Sequence, residues 1–178
     1  IYGVRAANGV ILITTKTGRR NQELKFEFDS YAGFQETTRK IPVLNATEYG
    51  LIINESFTAG GGSPQFSNIS LLGEGTDWQD EVFKTAAISS VNLNASGGTK
   101  KSTYSGGLSY LTQDGIVGRG KAGFDRLTAR LNYGFQITEN LKLTTTGIFT
   151  RTNRKTLPEN ALGSVLFNAL NMAPTLSV

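Results

Sequence analysis

The dominant pattern along the chain is alternation of apolar and polar positions with a period of two, which puts every second side chain on one face of a β-strand. It recurs in five runs. In the first, Leu24, Phe26, Phe28, Ala32 and Phe34 share a face with Ser30, while Lys25, Glu27, Asp29 and Gln35 point the other way. Val91, Leu93 and Ala95 alternate with Asn92, Asn94 and Ser96 in the second; Tyr104, Leu108 and Tyr110 alternate with Thr103, Ser105 and Ser109 in the third. The fourth sets Leu127, Ala129, Leu131, Tyr133, Phe135 and Ile137 against Arg126, Thr128, Arg130, Asn132 and Gln136. A weaker fifth carries Leu141, Leu143 and Phe149.

The fourth run is as long as a tilted membrane-crossing strand, for which roughly 9 to 11 residues suffice. Its polar face carries two arginines, which suit a wet barrel lumen better than the core of a sandwich. The connections alternate in length, as barrel turns and loops do. Gly97 to Lys101 and Thr138 to Asn140 are compact turns, whereas about fifty residues part the first two runs and the Gly-rich stretch from Thr112 to Gly123 parts the third and fourth. An antiparallel up-and-down meander results, mainly β.

Short helices are predicted in the loops. Asn45 with Glu48, and Thr76 with Gln79, have the spacing of self-capping helix starts. Leu162, Val165, Leu166, Ala169 and Leu170 fall at helical spacing near the end of the chain. Between the first two helices, residues 59 to 64 read as a flexible crossing.

Composition narrows the chemistry. Cysteine and histidine are both absent, which removes disulfides, thiolate metal sites and histidine-based triads from this stretch. An enzyme is the weaker reading, and no catalytic residue, metal ligand or cofactor is assigned. The formal net charge of +4 is spread over scattered Lys and Arg rather than a stripe, so no nucleic-acid partner is implied. No stretch approaches the roughly 20 apolar residues of a membrane-spanning helix. A membrane β-barrel and a soluble or surface-attached β-sandwich, such as a carbohydrate-binding module, both stay open.

The opening residues differ from all that follows. Tyr2-Gly3-Val4-Arg5-Ala6-Ala7-Asn8-Gly9 ends in a strong turn signal, and Val10 to Lys16 is apolar on both faces, as a strand buried in a small globular layer would be. Residues 1 to 16 resemble, position for position, the segment I-Y-G-x-R-A-A-N-G-V-I-L-I-T-T-K that ends the plug of the SusC/RagA family of TonB-linked outer-membrane proteins. Phrases around Thr76 to Asp80, Ser96 to Gly98 and Tyr110 to Ile116 are similar to early barrel segments of that family.

The resemblance implies a plug inside a barrel of about 22 strands, the large plugged class of transporter. Five strands cannot close a barrel, so the chain is expected to be a piece of a longer protein. Residues 1–18 would end the plug, and 19–178 would supply about five barrel strands with their outer loops. The implied activity is TonB-dependent import of glycan or peptide fragments at the outer membrane, with a SusD-like surface lipoprotein, outer-membrane lipid around the wall, and the TonB complex acting through another part of the protein.

Candidate site residues follow. Tyr2, Gly3, Arg5, Ala6, Ala7, Asn8 and Gly9 form the family-like motif, and their expected service is packing and turn geometry. Arg5 needs a partner if buried, either a carboxylate of the wall or a bound ligand. Tyr49 and Trp78 could stack on sugar rings or could anchor helix packing. Asp77, Asp80 and Glu81 make a dense carboxylate cluster, yet at a helix start acids serve capping and the helix dipole. Phe34, Tyr110, Tyr133 and Phe135 are candidates for an aromatic girdle.

Overall fold

The computed structural model describes Gly9, residues 17–159 and residues 161–178. The apolar run 10–16 and the motif residues Tyr2 to Asn8 lie outside the described residues. Five strands form one antiparallel sheet in chain order: β1 (Gln22–Gln35), β2 (Ala86–Gly98), β3 (Ser102–Asp114), β4 (Gly123–Thr138) and β5 (Leu141–Lys155). Each matches one alternating run and extends it, because backbone pairing with neighbours carries the strand past the last patterned side chain. The turns joining β2 to β3 and β4 to β5 are correspondingly tighter than the sequence suggests.

The loops hold three helices, α1 (Ala46–Ala59), α2 (Trp78–Val82) and α3 (Val165–Asn171). Helix α1 starts as expected: Asn45 accepts from the Glu48 amide at 2.8 Å, and the Glu48 carboxylate accepts from the Asn45 amide at 3.0 Å. At α2 the cap is Asp77, not Thr76, and it accepts from the Gln79 and Asp80 amides. The Thr76 hydroxyl instead donates to the Leu176 carbonyl at 2.7 Å. Helix α3 begins at Val165 because Ser164 caps it, and Ala161–Gly163 form a separate 3-10 turn. The glycine-rich crossing after α1 is closed by Asn54, whose side chain both donates to and accepts from the Phe66 backbone at 2.8 Å.

Two compact units divide the chain. The first comprises Ile1–Asp29, Val91–Tyr110 and Leu127–Arg151, and the second Ser30–Ser90, Leu111–Arg126 and Thr152–Val178. In the first unit the strand faces are inverted relative to a water-soluble protein, with large apolar side chains exposed. Phe26, Phe28 and Leu131 are 65%, 69% and 60% exposed in the first unit, and Phe34 is 81% exposed in the second. Among the polar positions between them, Glu27, Asn92, Asn132 and Gln136 are half-buried, whereas Lys25, Asp29, Arg126 and Arg130 are exposed. Among the described residues the only buried hydrophobic side chains are Ala46, Ala86 and Ala169. A sandwich needs a second layer over the apolar face, and no described residue supplies one.

Asn45→Ala removes one half of the capping box, which costs about 1 kcal/mol. The expected outcome is amide hydrogen exchange in the first turn of α1 faster by roughly fivefold, with strand amides unchanged.

Candidate functional site

The polar face of the first unit is laced across its strands. The Asn92 amide donates to Asp29 at 3.1 Å, the Ser109 hydroxyl donates to Asn92 at 2.6 Å, and Asn132 donates to Ser105 at 3.3 Å. The first two bonds tie β1 to β2 and β2 to β3; the third ties β3 to β4. Lys25 and Glu27, two apart on one strand and therefore on one face, pair at 2.9 Å. Residues 17–21 rest on this face, where Arg20 donates to the Gln136 side chain. A recess of 240 Å³ opens there among Arg20, Thr103, Asn132, Lys142 and Thr144. Such a surface of hydroxyls, amides and paired charges stays wetted, and it holds its shape through bonds between neighbouring strands.

In the second unit the short helix α2 is a junction. Buried Gln79 clamps the segment leaving β1, accepting from the Ile41 amide at 2.9 Å and donating to the Ile41 carbonyl at 2.7 Å. Lys40 pairs with Asp77 at 3.2 Å and with Asp80. The Trp78 indole donates to the Ala173 carbonyl at 3.0 Å, and the Thr76 amide donates to Pro174 at 2.9 Å, binding the end of the chain. The β3–β4 loop is held by Arg119 on Glu81, by the Gly118 amide on Val82 at 2.9 Å and by the Lys84 amide on Ile116 at 2.8 Å. Three separate loops therefore meet on five helical residues.

The charge cluster is explained by these partners. Burial alone would raise the Asp77 carboxyl, but hydrogen bonds from Lys40 and from the Asp80 and Gln79 amides, with the charge of Lys40, hold it below the ordinary carboxylate value. Lys40 is held above the ordinary lysine value, chiefly by its hydrogen bond to Asp80 and then by Asp77. Glu81 faces Arg119 instead. The three acids thus look to two cations, Asp77 and Asp80 to Lys40 and Glu81 to Arg119, and Asp77 also to the helix amides.

Tyr49 and Trp78, 29 residues apart in sequence, line one cleft of 340 Å³ together with Leu44, Met172 and Pro174. Both rings are half-buried. Of the motif at the start of the chain only Gly9 is described: it has φ +108 and open space around it, the backbone form that a turn glycine supplies. Sequence reasoning missed Arg20, Lys40, Gln79, Arg119 and Gln136. These partners are 37 to 116 residues away and carry no local signature, so the sequence offers no periodic cue for them.

An inverted, antiparallel meander with a laced polar face and helix-bearing loops is the wall of a membrane-type β-barrel. No family model matches the sequence. The chain is 34% identical over 132 residues to the TonB-dependent receptor SusC of Bacteroides thetaiotaomicron, which covers 74% of the chain and 12% of that receptor. It is 30% identical over 187 aligned residues to the TonB-dependent receptor P3 of Formosa agariphila, covering 100% of the chain and 17% of the receptor. The RagAB peptide importer in its closed-closed state superposes with a TM-score of 0.78 at 24% identity, over 98% of this chain and 23% of that one. In its open-open state the values are 0.77 and 26%, over 96% and 22%. The chain belongs to the SusC/RagA-like TonB-dependent transporters, and it spans less than a fifth of the length of these curated relatives.

The Asp77–Lys40 junction sets a pH window. Asp77 titrates below its unfolded value of about 3.9, so its contribution is complete above that pH and drains as pH falls through the lowered value. Lys40 titrates above its unfolded value of about 10.4, so its contribution is complete below that pH and drains as pH rises through the raised value. The fluorescence of Trp78, the chain's one tryptophan, is expected to stay flat between these limits and to change beyond each. In Asp77→Asn the acid-side change should vanish.

Proposed function

We propose that the complete protein imports a nutrient, as glycan or peptide fragments, across the outer membrane in a TonB-dependent manner. The observation that carries this reading is the inverted wall. Large apolar side chains stand outward where lipid tails would solvate them, and the hydrogen-bonded polar side chains form the opposite face. In this reading residues 1–18 close the plug, with Tyr2 to Gly9 shaping its last turn, and residues 19–178 form the first strands of the wall. A SusD-like lipoprotein covers the outer loops and delivers the substrate, and the TonB complex pulls on the plug from elsewhere in the protein. The relatives are receptors and an importer, which supports transport over bond-breaking chemistry.

The cleft between Tyr49 and Trp78 is the substrate contact this reading favours within the described loops. Trp78 has its indole N–H committed to the chain end and serves as the anchor, while the Tyr49 ring offers a stacking surface to a sugar or an aromatic side chain. Arg5, at the plug end, is the second candidate contact.

Two measurements test the reading. Cells carrying the complete protein should accumulate labelled oligosaccharide or oligopeptide only when TonB is present; binding without TonB-dependent accumulation sinks the import reading. Tyr49→Ala should weaken capture by roughly fivefold, about 1 kcal/mol, with thermal stability unchanged. Independently, Leu131→Lys should cost up to about 2–4 kcal/mol of folding stability in lipid vesicles, whereas Thr128→Lys on the polar face should be tolerated. Equal tolerance at both positions would overturn the assignment of faces.

A further inference from the structure

Gly18 sits closer to the sheet than any side chain would allow. A Cβ on Gly18 would meet the carbonyl oxygens of Gly97 and Tyr104 and, at 2.8 Å, the Tyr104 amide nitrogen. Those are backbone atoms of two paired strands, so they cannot swing aside as a flexible side chain can. The converse holds from the sheet: a Cβ on Gly98 would meet the Arg19 carbonyl oxygen and, at 2.7 Å, that of Ser102. The segment is therefore seated backbone against backbone.

Hydrogen bonds fasten the seat to both short turns. Asn21, in the left-handed region at φ +54, donates its amide to the Thr99 carbonyl at 3.2 Å. Arg20 donates to the Gln136 side-chain oxygen, and the Gln136 amide group donates to the Thr138 carbonyl at 2.7 Å and to that of Glu139 at 3.2 Å. The backbone amide of Gln136 donates to Lys101 at 2.8 Å, which joins the second turn to the first. One glutamine thus links the seated segment, its own turn and the neighbouring turn.

The geometry points to residues 17–21 as a fixed tether: they stay seated on the wall while the chain before them moves, so that a pull arriving from the amino-terminal side ends at Gly18. This rests on the import reading above, in which the preceding residues belong to a plug that is displaced. It deepens that reading by naming where displacement stops. A segment that merely passed from plug to wall would need neither the two glycines at the contact nor the Arg20–Gln136 link.

The test is Asn21→Cys with Thr99→Cys in the complete protein. A backbone hydrogen bond already joins these residues, and this stretch has no cysteine to compete. The expected results are a disulfide that forms equally fast with and without an energised TonB complex, and no loss of substrate uptake when it is closed. Uptake abolished on oxidation and regained on reduction overturns the tether, as does slower closure under load or failure of the pair to close. If the wild-type protein shows no TonB-dependent uptake, the import reading fails instead. Closure at one unchanged rate with full yield would even then uphold the seat, and incomplete closure would overturn it.

Discussion

One constraint runs through the described residues: their sheet is oily on one side and polar on the other, with no core of large buried side chains among them. In a water-soluble β-protein, burial of large side chains stabilises the layers. Here the side chains that would do so, Phe26, Phe28 and Leu131 among them, stand exposed, and among the described residues the buried apolar ones are three alanines. Cohesion must then come from the backbone ladder and from polar side chains bonded strand to strand. The bridges from Asp29 to Asn92 to Ser109, and from Ser105 to Asn132, do that on the face where water competes for them. Each is worth only about 1 kcal/mol, so it is their succession along the sheet that matters.

The loop-bearing unit solves a different problem with the same means. Its loops are too long to be ordered by turn geometry alone, and α2 has too few residues to persist by propensity. The two depend on each other. Gln79 supplies both members of a backbone pair to Ile41, Asp77 and Asp80 share Lys40, Glu81 holds Arg119, and Trp78 holds the segment after α3. A single turn of helix becomes stable because three loops close on it, and the cleft carrying Tyr49 takes its walls from the same closure.

The strands were legible because their signal is local and repeats: Leu127 to Ile137 reads as a two-faced strand in any context that has two environments. Which environment lay on which side was not legible from periodicity, and the resemblance at residues 1–16 supplied the direction. The Asn45–Glu48 cap was readable since both halves sit three residues apart. The α2 cap slipped by one residue because Thr76 and Asp77 are both competent caps, and the choice was made by Leu176, a partner a hundred residues away. Of the candidate contacts, Tyr49 and Trp78 do share a cleft, which no spacing rule could foresee. Arg20, Lys40 and Gln136 stayed hidden for the same reason: their meaning lies in pairings set by the sheet and its loops.

The period of two has a consequence for how such a chain can change over generations. Substitutions that keep each position on its own side leave ladder, turns and cross-strand bridges intact, so the letters can drift widely under an unchanged outline. The loss or gain of a single residue within a strand is another matter, because everything beyond it turns over and presents water with grease and lipid with charge. The wall is forgiving of spelling and strict about counting.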